Sequence, residues 1–95
     1  MKTYFTYILA NKHKTVLYTG VTNDLKRRLE EHIQGINKSF THRYNVHFLV
    51  WYQEFNWIQD AIEREKEIKG WRREKKDKLI ISFNPEWKYL NDKLL

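Results

Sequence analysis

Two β-type runs followed at once by an amphipathic helical segment, all between Thr6 and His32, constrain this chain more than any other stretch. Residues 3–10 (Thr-Tyr-Phe-Thr-Tyr-Ile-Leu-Ala) and 15–20 (Thr-Val-Leu-Tyr-Thr-Gly) are rich in the β-branched and aromatic side chains that favour strands. The polar stretch Asn11 to Lys14 joins them, which predicts an antiparallel hairpin. Closing Ala10 against Thr15 sets Leu9 opposite Val16, Ile8 opposite Leu17 and Tyr7 opposite Tyr18. Opposed residues project from the same face of a sheet, so the two tyrosines are expected side by side. A one-residue slip would separate them. Gly20 ends the second run, and Thr22 or Asn23 caps a helix from about Asp24 to Gln34, with Asp24 near its positive end and Gly35 as its stop. Leu25, Leu29, Ile33 and Ile36 form its apolar stripe, and Arg28 and His32, four apart, share a face beside that stripe.

Residues 35–45 read as a polar loop. The nearly continuous apolar run Val46 to Phe55 predicts a third strand, covered on both faces. A second helix is expected over about Asn56 to Lys69, with a stripe of Ile58, Ala61/Ile62, position 65 and Ile68. Position 65 is a glutamate, and a carboxylate on an apolar stripe is costly without a partner. After Gly70, Trp71 to Ser82 reads as a basic third helix, its core contacts Trp71, Leu79 and Ile80. Asn84-Pro85 breaks the chain, and Glu86 to Leu95 forms a short amphipathic turn or helix packed by Trp87 and Leu90.

A chain of 95 residues predicts one domain, and an apolar content of 41% excludes a disordered one. Without cysteine there is neither a disulfide framework nor a thiolate metal site. No apolar run is long enough to span a bilayer and the N-terminus does not read as a signal peptide, so a soluble cytoplasmic protein without a membrane partner is expected. A net charge of +6 with 16% aromatic residues directs attention to a polyanionic partner, nucleic acid first.

In this order the residues resemble the GIY-YIG nuclease superfamily, named for two tripeptides on adjacent strands. The first tripeptide is Phe5-Thr6-Tyr7, which keeps the tyrosine alone; Phe5 in place of glycine adds bulk close to Tyr7. The second is Tyr18-Thr19-Gly20, which keeps tyrosine and glycine. The superfamily's arginine falls on Arg28 and its histidine on His32. Its metal-binding glutamate, four residues after an alanine, falls on Glu65 after Ala61, and its late asparagine falls on Asn84 by order along the chain. The likeness is greatest to small standalone members similar to the N-terminal nuclease domain of the bacterial excision-repair incision subunit. It implies an α/β fold, a small three-stranded antiparallel sheet flanked by helices, and the reading from the residues alone agrees.

The resemblance further implies divalent-metal-dependent hydrolysis of phosphodiester bonds in DNA, in a repair or recombination setting that includes protein partners. The residue types suit that chemistry. Arg28 offers permanently charged donors for a phosphate transition state that gathers negative charge. Glu65 offers a hard ligand for Mg²⁺ or Mn²⁺, which often takes only one or two carboxylates. The implied base is Tyr7, and a phenol would need its pKa lowered for that work. His32 would receive the proton or orient the phenol, and Tyr18 would hydrogen-bond the phosphate or the water. Lys38, Arg43, Lys69, Arg72, Arg73 and Lys76 are candidate phosphate contacts, with a solvated helix face as the plain alternative for the last four and a solvated surface likewise for Lys38, His42 and Arg43. His13 and His47 read as structural or solvated. The runner-up is a nucleic-acid-binding module of the same fold with weak or no activity, and a third is a protein-interaction domain within a larger assembly. DNA against RNA, duplex against branched substrate and oligomeric state are left open.

Overall fold

The computed structural model describes residues 2–34 and 43–93. β1 (Tyr4–Ala10) and β2 (Leu17–Thr22) form the expected hairpin. Its turn is built by one side chain. Asn11 Oδ1 accepts from the backbone N–H of Thr15 at 2.8 Å and of Val16 at 3.1 Å, while Asn11 Nδ2 donates to Thr15 Oγ1 at 2.8 Å. The Asn11 N–H donates to Val16 O, and Lys14 turns the chain with φ 60. Asn11 is therefore the last paired residue and not the first loop residue, which corrects the expected register by two. Leu9, and not Tyr7, lies opposite Tyr18, and Tyr7 lies opposite Gly20. A two-residue shift preserves the side-chain alternation, so both tyrosines still share one face, now on a diagonal.

β3 (Phe48–Phe55) pairs antiparallel with β1 on its other side, giving the order β2-β1-β3. The register skips between Ile8, opposite Trp51, and Leu9, opposite Leu49, so Val50 is an extra residue in β3. Central β1 is fully buried from Thr6 to Ala10. Alternate residues feed two cores. One holds Tyr7, Leu9 and Leu49 with Leu25 and Leu29 of α1 (Leu25–Gln34). The other holds Ile8, Ala10, Val50 and Trp51 with Ile68 of α2 (Ile58–Lys69) and Ile80 of α3 (Arg73–Phe83). A short 3-10 turn, Leu90–Lys93, sends Leu90 into the first core. The α/β architecture, a three-stranded antiparallel sheet flanked by helices, is the expected one. The ends of the three strands and three α-helices fall within about two residues of those read from the sequence, with β2 running past Gly20 to Thr22, while the segment expected over Glu86 to Leu95 is the shorter 3-10 turn.

Two apolar stripes run differently. Ile33 is 47% exposed and His32 takes the buried place in the last turn of α1; Ile36 lies outside the described residues. On α2, Ile58 and Ile62 are exposed and the helix rests on Ala61 and Ile68. The small Ala61 lets the helix backbone approach the sheet, where Thr6 Oγ1 donates to Ala61 O at 2.7 Å. The outer edge of β3 is closed by two asparagines. Asn91 Oδ1 accepts from Leu49 N–H at 2.8 Å and its Nδ2 donates to His47 O at 3.0 Å. Asn84 Nδ2 donates to Val50 O at 3.0 Å. A covered edge is protected from pairing with other chains.

Candidate active site

Tyr7 stands at the centre of β1 with no exposed surface. Its ring lies across Gly20. A Cβ at position 20 would sit 2.5 Å from Tyr7 Oη and 2.6 Å from Tyr7 Cζ, closer than real Cβ contacts come, and a tight 3.0 Å from Tyr18 Cε2. Glycine inside a strand is thus explained by the close approach of a ring. Phe5, on the same face, leans the opposite way and meets Tyr52 edge-on at 6.3 Å between centroids. Its bulk therefore does not occupy the Tyr18 side of Tyr7. The Tyr18 ring centroid is 6.3 Å from that of Tyr7, and His32 packs edge-on against both, at 6.1 Å and 5.7 Å.

α1 supplies the polar partners. Arg28 Nε donates to Tyr7 Oη at 3.3 Å, and Tyr7 Oη lies 3.2 Å from His32 Nε2. Arg28 Nη1 also meets the Glu31 carboxylate at 3.5 Å. Burial pushes the Tyr7 phenol up to about 12, outweighing the downward pull of the Arg28 hydrogen bond; the Tyr18 and Glu65 charges push the same way as burial. Burial first, then the Arg28 charge, hold His32 down at about 4, with Glu31 opposing. The Arg28 guanidinium is held above its ordinary value, chiefly by its bond to Tyr7. At neutral pH, then, the phenol is protonated and the imidazole is neutral. Both contacts are satisfied when Arg28 Nε–H donates to the phenol oxygen and the phenol O–H donates to an unprotonated Nε2. Tyr7, Tyr18, Arg28 and His32 thus converge as the sequence pattern implied. The resting phenol pKa, however, moves up and not down.

Glu65 lies on α2 one turn beyond Ala61, the residue that Thr6 ties to the sheet beside Tyr7. Its side chain is half-buried, and Lys69 Nζ pairs with Glu65 Oε2 at 3.3 Å, the partner that a carboxylate on this face requires. Among the described residues no three His, Asp or Glu side chains gather into a metal cage. The donor set fits only a hard dication that keeps most of its water and takes a single carboxylate.

Asn84 is bonded to backbone at the edge of β3. Its amide donates to Val50 O and, at 2.8 Å, to Lys88 O, and its Oδ1 accepts from Lys88 N–H at 2.9 Å, so the side chain is committed to backbone. Arg73 is likewise occupied. It pairs with Asp77 at 2.7 Å and donates to Thr15 O at 3.2 Å and Lys14 O at 2.5 Å, fastening α3 to the hairpin loop. Arg72 is exposed at the N-terminal end of α3, and Lys76 is partly buried on that helix. Arg43 is exposed and lies over the Tyr44 ring at 5.6 Å. Lys38 and His42 lie outside the described residues. Reading by spacing missed the positioning parts played by Gly20 and Thr6. A glycine within a strand run was the available sign for the first; nothing local marks the second.

A family model described as the GIY-YIG catalytic domain matches residues 3–78. A UPF0213 protein of Haloquadratum walsbyi is 41% identical over 63 residues, which cover 66% of this chain and 71% of that one. A UPF0213 protein of Staphylococcus aureus is 37% identical over 81 residues, 84% of this chain and 96% of the relative. The solution structure of a UPF0213 protein from Bacillus halodurans aligns with a TM-score of 0.55 at 27% identity, covering 96% of this chain and 93% of that one. With Tyr7 and Tyr18 on one face of the hairpin and the Arg28–His32 helix beside them, this match over most of its length means that the chain belongs to the GIY-YIG family.

Proposed function

We propose that this domain binds nucleic acid through its phosphate backbone, at the face where Arg28 meets Tyr7, and that its own hydrolytic activity at neutral pH is weak or absent. The observation that carries this reading is the state of Tyr7: fully buried, bonded on both sides, and held protonated to about pH 12. A phenol of that pKa is ionised in roughly one molecule in 10⁵ at pH 7, about a hundredfold less than an ordinary tyrosine. Arg28, by contrast, is permanently charged and part-exposed, suited to a phosphate oxygen. The net charge of +6 supports binding governed by phosphate contacts, and hence by salt. A domain this small leaves little surface for reading bases in the grooves, so the binding is expected to be nonspecific or structure-directed.

A second reading, a Mg²⁺- or Mn²⁺-dependent endonuclease, is favoured by the convergence of Tyr7, Tyr18, Arg28 and His32 and by the reach of the Glu65 charge to Tyr7. In that reading Arg28 binds the nonbridging phosphate oxygens, and Tyr7 passes its proton to the neutral His32 Nε2 as it accepts one from water. A dication held by Glu65 would supply Lewis-acid stabilisation of the departing oxygen. Tyr18 would orient the phosphate, and Asn84 would act only by shaping its turn.

Salt-titrated binding of labelled DNA, run beside nicking of supercoiled plasmid with Mg²⁺ or Mn²⁺, separates the two. Salt-sensitive binding without nicking above background is the expected result. Nicking that needs metal and disappears in both Glu65→Ala and Tyr7→Phe would replace it with the second reading. Absence of binding at low salt would refute both.

A further inference from the structure

A cavity of about 390 Å³ opens where the β1–β2 hairpin loop faces the segment entering β3, lined by Lys12, His13, Tyr44, Asn45, His47 and Phe48. Its walls contain no carboxylate. The cavities beside Phe83 and Asp60 each contain at least one, Glu86, Glu54 or the Asp60, Glu63 and Glu67 set, while the cavity beside Trp57 also has none but holds a single lysine, Lys2, as its cation. Further cations stand at the rim. Arg43 lies over the Tyr44 ring, and Lys14 lies 5.8 Å from the centroid of Tyr89, which stacks on Phe48 at 4.2 Å. The walls are braced. Asn11 holds the loop, Tyr89 Oη donates to Lys12 O at 3.0 Å, and Arg73 binds the carbonyls of Lys14 and Thr15. Asn45 turns the opposite wall with φ 56, a conformation asparagine tolerates. The cavity begins at Asn11, just past the end of β1, on the face that Tyr7 and Leu9 share by strand alternation. From Tyr7 to Asn11 is four residues of β1, about 13 Å at roughly 3.3 Å each.

We propose that this cavity is a second phosphate subsite, which takes a backbone phosphate of the same nucleic-acid strand that meets Arg28. A separation of about 13 Å is within the reach of one strand that tracks a basic groove. Lys12 and His13 supply the donors, and Tyr44 borders the sugar beside that phosphate, while the Phe48 ring, packed against Tyr89 and His47, backs the wall. The subsite rests on the nucleic-acid-binding reading and extends it, by giving the strand a direction past His32 toward the hairpin loop.

The test is fluorescence anisotropy with a labelled oligonucleotide across a salt series, comparing the wild type with Lys12→Ala and with Lys12→Ala/His13→Ala. Both side chains are exposed, and the Tyr89 contact to Lys12 is to its backbone, so these variants keep the fold. Removing one phosphate contact is expected to lower the slope of log K against log salt by about 1 and to weaken binding about tenfold at 0.1 M salt. In parallel, the His13 and His47 ring resonances are followed as the oligonucleotide is added, with inorganic phosphate alone as a second titrant. Saturable shifts with the oligonucleotide support the subsite. Shifts with phosphate alone at similar concentration would refute a strand-borne ligand. Wild-type affinity and slope in both variants, with His32 alone responding, would overturn the subsite while leaving the Arg28 reading standing. A wild type that binds no oligonucleotide overturns both.

Discussion

Gly20→Ala is the substitution whose effect follows most directly from the geometry. The backbone at position 20 is ordinary strand, so alanine there carries no conformational penalty and would by itself recover about 0.5–1 kcal/mol. Space decides the outcome. The new Cβ would meet Tyr7 Oη at 2.5 Å and Tyr7 Cζ at 2.6 Å, about 1 Å inside ordinary contact. Tyr7 has no exposed surface and cannot swing into solvent. Overpacking of this kind costs about 1–3 kcal/mol. Moving the ring also stretches its contacts to Arg28 and His32, already 3.3 and 3.2 Å. The net expectation is a loss of about 1 kcal/mol, or roughly 4–8 °C in Tm for a domain of this size. Urea or thermal unfolding checks it, and a cycle with Tyr7→Phe sharpens it. The Tyr7→Phe variant lacks the closest clashing atom, so Gly20→Ala should cost less in that background. An alanine variant as stable as the wild type, with the cost unchanged by Tyr7→Phe, would refute the claim that Gly20 exists to admit the Tyr7 ring.

The remaining structural predictions concern protons and the β3 edge. His32 is held at about 4 against an ordinary 6.5, so between those values the unfolded chain binds a proton that the folded chain refuses. Stability from this group is complete above about pH 6.5 and falls as the pH drops toward 4, by at most about 3 kcal/mol, with His47 adding in the same direction; unfolding curves across pH 4–7 check it, and His32→Gln should flatten them. Tyr7 gives the opposite limb: its raised pKa favours the folded state below about pH 10, and that contribution disappears as the pH rises toward 12. Absorbance at alkaline pH should show one of the six tyrosines titrating near 12 while the fold persists. Asn91→Ala leaves the buried Leu49 N–H without its acceptor and should cost about 1–3 kcal/mol, with self-association rising as the β3 edge opens, measurable by light scattering.

Much of the site was legible because its members are local to two elements. Arg28 and His32 are one helical turn apart, and Tyr7 and Tyr18 lie in strands joined by a short loop. The register was wrong by two and the tyrosines still shared a face, since side-chain alternation tolerates an even slip. The inward turn of His32 in place of Ile33 was not legible. An apolar stripe favours isoleucine, and the phenol of Tyr7, brought from another element, gives the imidazole a buried partner. Thr6 bonding to Ala61, Arg73 fastening the hairpin loop, and Asn84 and Asn91 closing the β3 edge share a cause. Each joins residues more than thirty positions apart, where spacing along the chain conveys nothing. Asn84 was placed by its order along the chain alone, and its three side-chain hydrogen bonds go to backbone.

Arg28 poses the sharpest question about catalysis in this fold, because it is asked to do two things at once. It is the cation bonded to Tyr7, and its charge and hydrogen bond both lower the phenol pKa against the larger effect of burial. It is also the natural ligand for a phosphate. A phosphate that draws the guanidinium away removes the influence that favours phenolate, so substrate binding through Arg28 alone leaves Tyr7 with even less phenolate at neutral pH. Hydrolysis would then require a further positive charge near the phenol, which is the physical reason a carboxylate at position 65 matters to the second reading and not to the first. Arg28→Ala tests the premise without any substrate. With the Arg28 charge gone, the Tyr7 pKa should rise further. His32, which that charge depresses while Glu31 raises it, should move up from about 4. The tyrosine is followed by absorbance and the histidine by its ring resonances. A fall in the Tyr7 pKa instead would mean that water entering the vacated space relieves burial by more than Arg28 contributed. Arg28 would then not be the group that governs the phenol, and the competition between substrate and base would not exist.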